Sequence, residues 1–62
     1  MSNVEQKEIQ SQILRQINAM VEEIPGDKGQ QFLVYARKEA ENNNLQTAIN
    51  FMMEAERSNR LE

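Results

Sequence analysis

Apolar residues recur at steps of three and four along the first third of the chain, which is the period of one face of an α-helix. These residues are Ile9, Ile13, Leu14, Ile17, Met20, Val21 and Ile24. Glutamine and glutamate occupy most positions between them, so the segment is amphipathic. Ser2 and Glu5 have the spacing of a reciprocal helix cap, and Pro25 disfavours helical geometry before it. The pattern predicts one long helix over residues 3–24.

The same spacing predicts two shorter helices, over residues 28–41 and 45–58. In the first turn Gly26 permits a left-handed conformation, and Asp27 can cap the second helix, with Gln30 three residues further on as the second member of the cap. The triplet Asn42–Asn44 predicts the second turn, because asparagine tolerates the left-handed conformation that ends a helix. Asparagine can also cap the helix that follows. No alternation with a period of two indicates a strand.

The expected fold is therefore all-α, a three-helix hairpin or bundle forming a single helical domain over residues 1–62. The second helix has a predicted core face of four residues, Phe32, Tyr35, Ala36 and Ala40. The third helix has a predicted core face of five residues, Leu45, Ala48, Ile49, Met52 and Ala55. Alanines in both faces indicate that the two helix backbones approach closely.

Four apolar residues remain after these faces are assigned. They are Leu33, Val34, Phe51 and Met53. Monomeric proteins rarely expose such side chains as a patch unless the patch has a function. A chain this short also has a marginal core, which oligomerisation can supplement. We therefore predict that these four residues bind protein, and we expect them to pair two copies of the chain as a homodimer.

The side chains that most catalytic and metal sites use are missing. The 62 residues include no cysteine and no histidine, so disulfides are excluded and a zinc site is not expected. The strongest nucleophiles and the commonest general base are absent too. We expect no catalytic residue, no cofactor and no bound metal.

The charge distribution argues against nucleic acid and membrane as partners. The formal net charge is −3, and the seven basic residues are scattered through the chain. Nucleic-acid binding needs clustered lysine and arginine to neutralise phosphates. No apolar run reaches the length of a membrane span, and no N-terminal apolar segment indicates a secretory signal. We expect a small acidic cytoplasmic protein that binds neither nucleic acid nor membrane.

Ala48, Met52 and Ala55 follow an A-x3-F-x2-A arrangement, with methionine in place of the aromatic residue. With this arrangement, residues 29–62 resemble a single tetratricopeptide-type unit, a helix–turn–helix repeat of 34 residues. Glu39 occupies the usual tyrosine position, the terminal proline is absent and the first 28 residues do not repeat the pattern. The resemblance implies protein–protein binding, and a single unit would have to dimerise or cap another protein.

These patterns predict a small non-catalytic interaction module that acts as an adaptor, assembly factor or regulator. Three alternatives stay open. One is a phage-type inhibitor or decoy of a host enzyme, which requires a tight complex with that enzyme and an acidic contact face. Another is a purely structural helical oligomer that has no separate ligand. The third is a nucleic-acid-associated factor, which the scattered basic residues disfavour.

Overall fold

Three α-helices make up the chain in a computed structural model that describes residues 3–61. They are α1 (Asn3–Glu23), α2 (Asp27–Glu41) and α3 (Leu45–Leu61). The all-α, three-helix prediction is confirmed, and residues 3–61 contain no strand. Ser2 of the expected N-terminal cap lies outside the described residues. Helix α3 continues past the predicted end at Ser58, because no glycine or proline follows to stop it.

The turn between α1 and α2 differs from the prediction in two ways. Gly26 has φ −72° and ψ 143°, so it does not use the left-handed conformation that glycine permits. Asp27 is the first residue of α2 and not its cap, because Gly26 occupies the N-cap position with the extended backbone usual there. The Asp27 carboxylate lies in the first turn of α2, where the helix dipole favours negative charge.

The asparagine triplet forms the second turn as predicted. Asn43 is left-handed with φ 64°. Its N–H donates to Ala40 O at 3.0 Å, and the Asn44 N–H donates to Glu39 O at 2.8 Å. These two bonds form a Schellman motif, which satisfies carbonyls that the end of α2 would otherwise leave unpaired. The Asn44 carbonyl then accepts the Ala48 N–H at 3.0 Å and begins α3.

The core lies mainly between α2 and α3. Its fully covered apolar residues are Ile17, Met20, Ile24, Leu33, Ala36, Ala40, Ala48 and Ala55. Half of them are alanines, and their small side chains let the two helix backbones come close together. Helix α1 packs on α2 and barely touches α3. The result is an α2–α3 hairpin with α1 placed along one side of it.

Four core assignments made from the sequence are wrong. Leu33 was expected outside the core, but it is 1% exposed. It lies on the part of α2 where the surface that contacts α1 adjoins the surface that contacts α3. Ile9 and Ile49 were expected to be buried, but they are 40% and 37% exposed because α1 leans onto α2 and away from α3. Tyr35, also expected in the core, is 45% exposed at the edge of the α2–α3 pair.

Gly29 marks the closest approach between the α1–α2 turn and α2. It is buried, and a Cβ atom added to it would lie under 3.0 Å from Ile24 Cγ2. The same atom would lie 3.6 Å from the Ala55 carbonyl oxygen of α3, which is an ordinary contact. The missing side chain therefore lets the end of α1 fold tightly against α2.

Candidate functional site

The four predicted binding residues do not form one patch. Leu33 is buried in the core and is not available to a partner. Phe51 is half-buried against the core, and its ring lies 6.4 Å from Phe32 and 5.6 Å from Tyr35 between centroids. Val34 and Met53 are the exposed members, at 66% and 63%.

Val34 lies on the side of α2 that carries α1. It falls in one helical stripe with Gln30 and Arg37, since these positions are separated by four and three residues. The Gln30 side chain hydrogen-bonds to carbonyls of α1, and the Arg37 guanidinium donates to Asn18 Oδ1 of α1. Val34 is therefore an isolated apolar residue beside α1, on the edge of the molecule away from α3.

A shallow depression of about 350 Å³ lies between α1 and α3. It is lined by Met20 and Glu23 of α1, by Ile24 just after α1, and by Glu56, Asn59 and Arg60 of α3. Residues three or four apart share a helix face, so the lining stripes can be extended along both helices. On α1 the stripe is Ile9, Ile13, Gln16, Met20 and Glu23. On α3 it is Leu45, Ile49, Met53, Glu56 and Arg60.

We call these ten residues the α1–α3 cleft. The described residues include six large apolar side chains that are exposed, and three of the six, Ile9, Ile49 and Met53, belong to this cleft. Ile13 and Leu45 are half-buried beneath them. The charged members of the cleft, Glu23, Glu56 and Arg60, all lie toward one end of it.

Hydrogen bonds from glutamine and arginine side chains hold α1 on α2. Gln10 Nε2 donates to Ala40 O at 2.7 Å near one end of the pair. Gln30 Nε2 donates to Val21 O at 2.8 Å and also to Ile24 O near the other end. Arg37 of α2 adds its contact with Asn18 between them. Together these contacts fix α1 to α2, and the stripe of α1 that faces α3 is buried at Met20 and exposed at Ile9.

Sequence reasoning missed the structural role of these glutamines. Gln10 interrupts the apolar stripe of α1, three positions before Ile13 and seven before Ile17. A polar residue on an otherwise apolar stripe indicates that its side chain bonds to a buried or half-buried polar group. Gln30 was assigned to the predicted cap of α2, and it instead satisfies carbonyls at the end of α1.

Residues 3–61 contain no group of three or more potential metal-ligating side chains. Glu56 and Arg60 form an ion pair of 3.5 Å within α3, at the charged end of the cleft. No helix in this part of the chain is long and apolar enough to cross a membrane.

No protein-family model, curated protein or solved structure matches this chain. The resemblance of residues 29–62 to a tetratricopeptide-type unit stays a prediction. The α1–α3 cleft and the composition of the chain are therefore the features that bear on its function.

Proposed function

We propose that this chain is a small non-catalytic protein–protein interaction module that binds its partner through the α1–α3 cleft. The observation that carries the proposal is the exposure of Ile9, Ile49 and Met53, on helix stripes extended by helical spacing from the residues that line the depression between α1 and α3. An apolar groove between two helices is a common receptor for an amphipathic helix of another protein. The flexible Met53 side chain suits a surface that adapts to its ligand.

The exposed apolar surface is large enough to contribute several kcal/mol to the free energy of binding a partner. The exposed fractions of Ile9, Ile49 and Met53 are 40%, 37% and 63%, equivalent to about 1.4 fully exposed side chains. Burying a side chain of this kind contributes roughly 1.5–3 kcal/mol, so covering the three contributes about 2–4 kcal/mol. If the partner also buries an apolar face of its own in the complex, that burial contributes a similar free energy of binding.

Two features support a role without catalysis. The chain lacks histidine and cysteine, so a general base or nucleophile would have to be a carboxylate, lysine or the single tyrosine. The acidic residues at the cleft are Glu23 and Glu56, and Glu56 is paired with Arg60 at the surface. A carboxylate that acts as a general acid near neutral pH is usually buried in apolar surroundings.

Affinity capture with matched variants tests the proposal. Wild-type chain, Met53→Glu and Val34→Glu are each used to capture proteins from the source cells, and captured proteins are identified by mass spectrometry. Val34 is as exposed as Met53 but lies outside the cleft, so it controls for the effect of adding a surface carboxylate. We expect the wild type and Val34→Glu to retain a common partner that Met53→Glu loses. A partner retained equally by all three would contradict the proposed binding surface.

A further inference from the structure

A second depression lies between α2 and α3, apart from the α1–α3 cleft. Its volume is about 480 Å³, and it is lined by Lys28, Gln31 and Phe32 of α2 and by Glu54, Arg57 and Ser58 of α3. Phe32 and Ser58 are half-buried and the other four residues are exposed, so the depression has an aromatic floor and polar walls. We call these six residues the α2–α3 depression, and none of them belongs to the α1–α3 cleft.

We propose that the α2–α3 depression binds an acidic segment of another protein, in which a carboxylate lies beside an apolar side chain. This surface is separate from the α1–α3 cleft, so binding here does not depend on the function proposed above. A chain that has both surfaces can hold two partners at once, as an adaptor does.

Ring contacts extend the apolar floor of the depression to the surface of the molecule. The Phe32 ring lies 6.4 Å from the Phe51 ring, and the Phe51 ring lies 5.6 Å from the Tyr35 ring, between centroids. Tyr35 is 45% exposed. Aromatic residues are enriched at protein interfaces, because each contributes a large apolar area and tyrosine also offers a hydroxyl group. An apolar side chain of a partner can therefore pack on this continuous line of rings.

The charge of the depression is opposite in sign to that of the whole chain. Lys28 and Arg57 supply two positive charges against the one negative charge of Glu54, whereas the chain has a formal net charge of −3. Among residues 3–61, neither cation forms an ion pair, and the ion pair of α3 joins Arg60 to Glu56 instead. Both cations are therefore free to bind a carboxylate of a partner, and arginine can do so through two parallel hydrogen bonds.

A pair of cations on α1 shows what the depression adds to bare charge. Lys7 and Arg15 line a surface that belongs to α1 alone, and Val4 is the single apolar residue in that lining. This surface has no second helix and no aromatic ring beside its cations. The two pairs carry the same charge, so the α1 pair is a matched control for the α2–α3 depression.

The open shape of the depression favours a polypeptide as its occupant. Sites for small molecules usually enclose about 70–90% of the ligand surface, whereas four of the six lining side chains here are exposed. Nucleic-acid binding uses clusters of cations that neutralise several phosphates. Here the Glu54 carboxylate lies in the same depression as the two cations and would repel a phosphate backbone. A single carboxylate with an apolar neighbour matches both the charge and the aromatic floor.

Peptide selection followed by titration tests the proposal. A phage-displayed library of random dodecapeptides without tyrosine or tryptophan is selected on the wild-type chain, and the enriched peptides are synthesised with a fluorescent label. Fluorescence anisotropy gives the Kd of each peptide for the wild type, for Lys28→Glu/Arg57→Glu and for Lys7→Glu/Arg15→Glu. The unlabelled peptides are also titrated while the emission of Tyr35 is followed, since Tyr35 is the single tyrosine in a chain without tryptophan.

We expect the enriched peptides to carry aspartate or glutamate beside a large apolar residue and to change the emission of Tyr35. We expect Lys28→Glu/Arg57→Glu to bind them at least about 10-fold more weakly than the wild type, because two attractive charges become repulsive. Lys7→Glu/Arg15→Glu changes the net charge by the same amount and should keep the wild-type Kd within about twofold. If circular dichroism shows that Lys28→Glu/Arg57→Glu loses helicity, Lys28→Gln/Arg57→Gln takes its place and must weaken binding in the same direction.

Three results would overturn the proposal. Enriched peptides without an excess of acidic residues, or a selection that enriches no peptide, would show that the depression does not recognise an acidic segment. Equal weakening by both double variants would mean that only the overall charge of the chain matters. Peptides that Met53→Glu loses and Lys28→Glu/Arg57→Glu retains would bind at the α1–α3 cleft instead. That last result would support the function proposed above while excluding the second surface.

Discussion

Replacing Gly29 with alanine tests how tightly the α1–α2 turn is packed. The new Cβ atom would lie under 3.0 Å from Ile24 Cγ2, a distance at which one of the two atoms must move. Ile24 is 4% exposed, and Cγ2 is attached directly to its branched Cβ, so this methyl group cannot rotate away alone. The backbone of the turn or the whole Ile24 side chain must shift.

Two opposing contributions to the free energy of unfolding decide how much Gly29→Ala changes the stability. Alanine is favoured over glycine inside a helix by roughly 0.5–1 kcal/mol. Adding a methyl group to a packed core usually costs about 1–3 kcal/mol. We therefore expect Gly29→Ala to lower the free energy of unfolding by about 1 kcal/mol, within a range of roughly 0–2.5 kcal/mol. For a domain of this size, 1 kcal/mol corresponds to a fall in melting temperature of about 4–8 °C.

Thermal unfolding followed by circular dichroism measures this change, at one fixed protein concentration for all variants because self-association would raise the melting temperature. Ile24→Leu provides the matched control, since leucine conserves the volume but has no methyl group at the Cγ2 position. In a double-mutant cycle we expect Gly29→Ala to cost clearly less in the Ile24→Leu background. A single Gly29→Ala variant that is more stable by the full helix-propensity gain would refute the close approach, as would a cycle with no coupling.

Three further changes test the turns and the core, each by the same unfolding measurement. Gln30→Ala removes two hydrogen bonds to the end of α1, so we expect a loss of about 1–2 kcal/mol; a loss no greater than experimental error would mean that those bonds do not hold α1 on α2. Ala48→Glu places a carboxylate in the fully buried α2–α3 contact and should cost at least about 3 kcal/mol, whereas Thr47→Glu on the exposed side should change little. Asn43→Gly should be neutral or mildly stabilising and Asn43→Ala should cost up to about 1 kcal/mol, because the residue is left-handed; a more stable alanine variant would contradict the turn.

The number of helices and the second turn could be predicted from sequence because each depends on local physics. The period of three and four in the apolar residues requires no knowledge of what the helix packs against. The left-handed Asn43 follows from the tolerance of asparagine for that conformation, and Pro25 ends α1 through its own ring. The conformation of Gly26 could not be predicted, because glycine accepts both extended and left-handed geometry and its identity does not choose between them.

The burial of individual residues could not be predicted in the same way. Ile9 and Ile49 belong to helical stripes that would be buried in a closed bundle, and periodicity cannot tell whether the bundle closes. Leu33 lies beside the predicted stripe of α2, but α2 contacts both other helices and its buried face is correspondingly wider. These errors have one cause, which is that the lean of α1 toward α2 depends on contacts between helices distant in sequence.

The polar contacts of α1 explain why the cleft is open in the single chain. Gln10, Gln30 and Arg37 attach α1 to α2 near both ends and between them. To close onto α3, α1 would have to break these bonds and take the Gln30 donor away from the carbonyls of Val21 and Ile24, which costs about 1–3 kcal/mol for each group left unpaired. Covering the exposed parts of Ile9, Ile49 and Met53 within one chain would recover about 2–4 kcal/mol at most. The two terms nearly cancel, so a partner that covers the cleft without breaking the α1–α2 bonds has the energetic advantage.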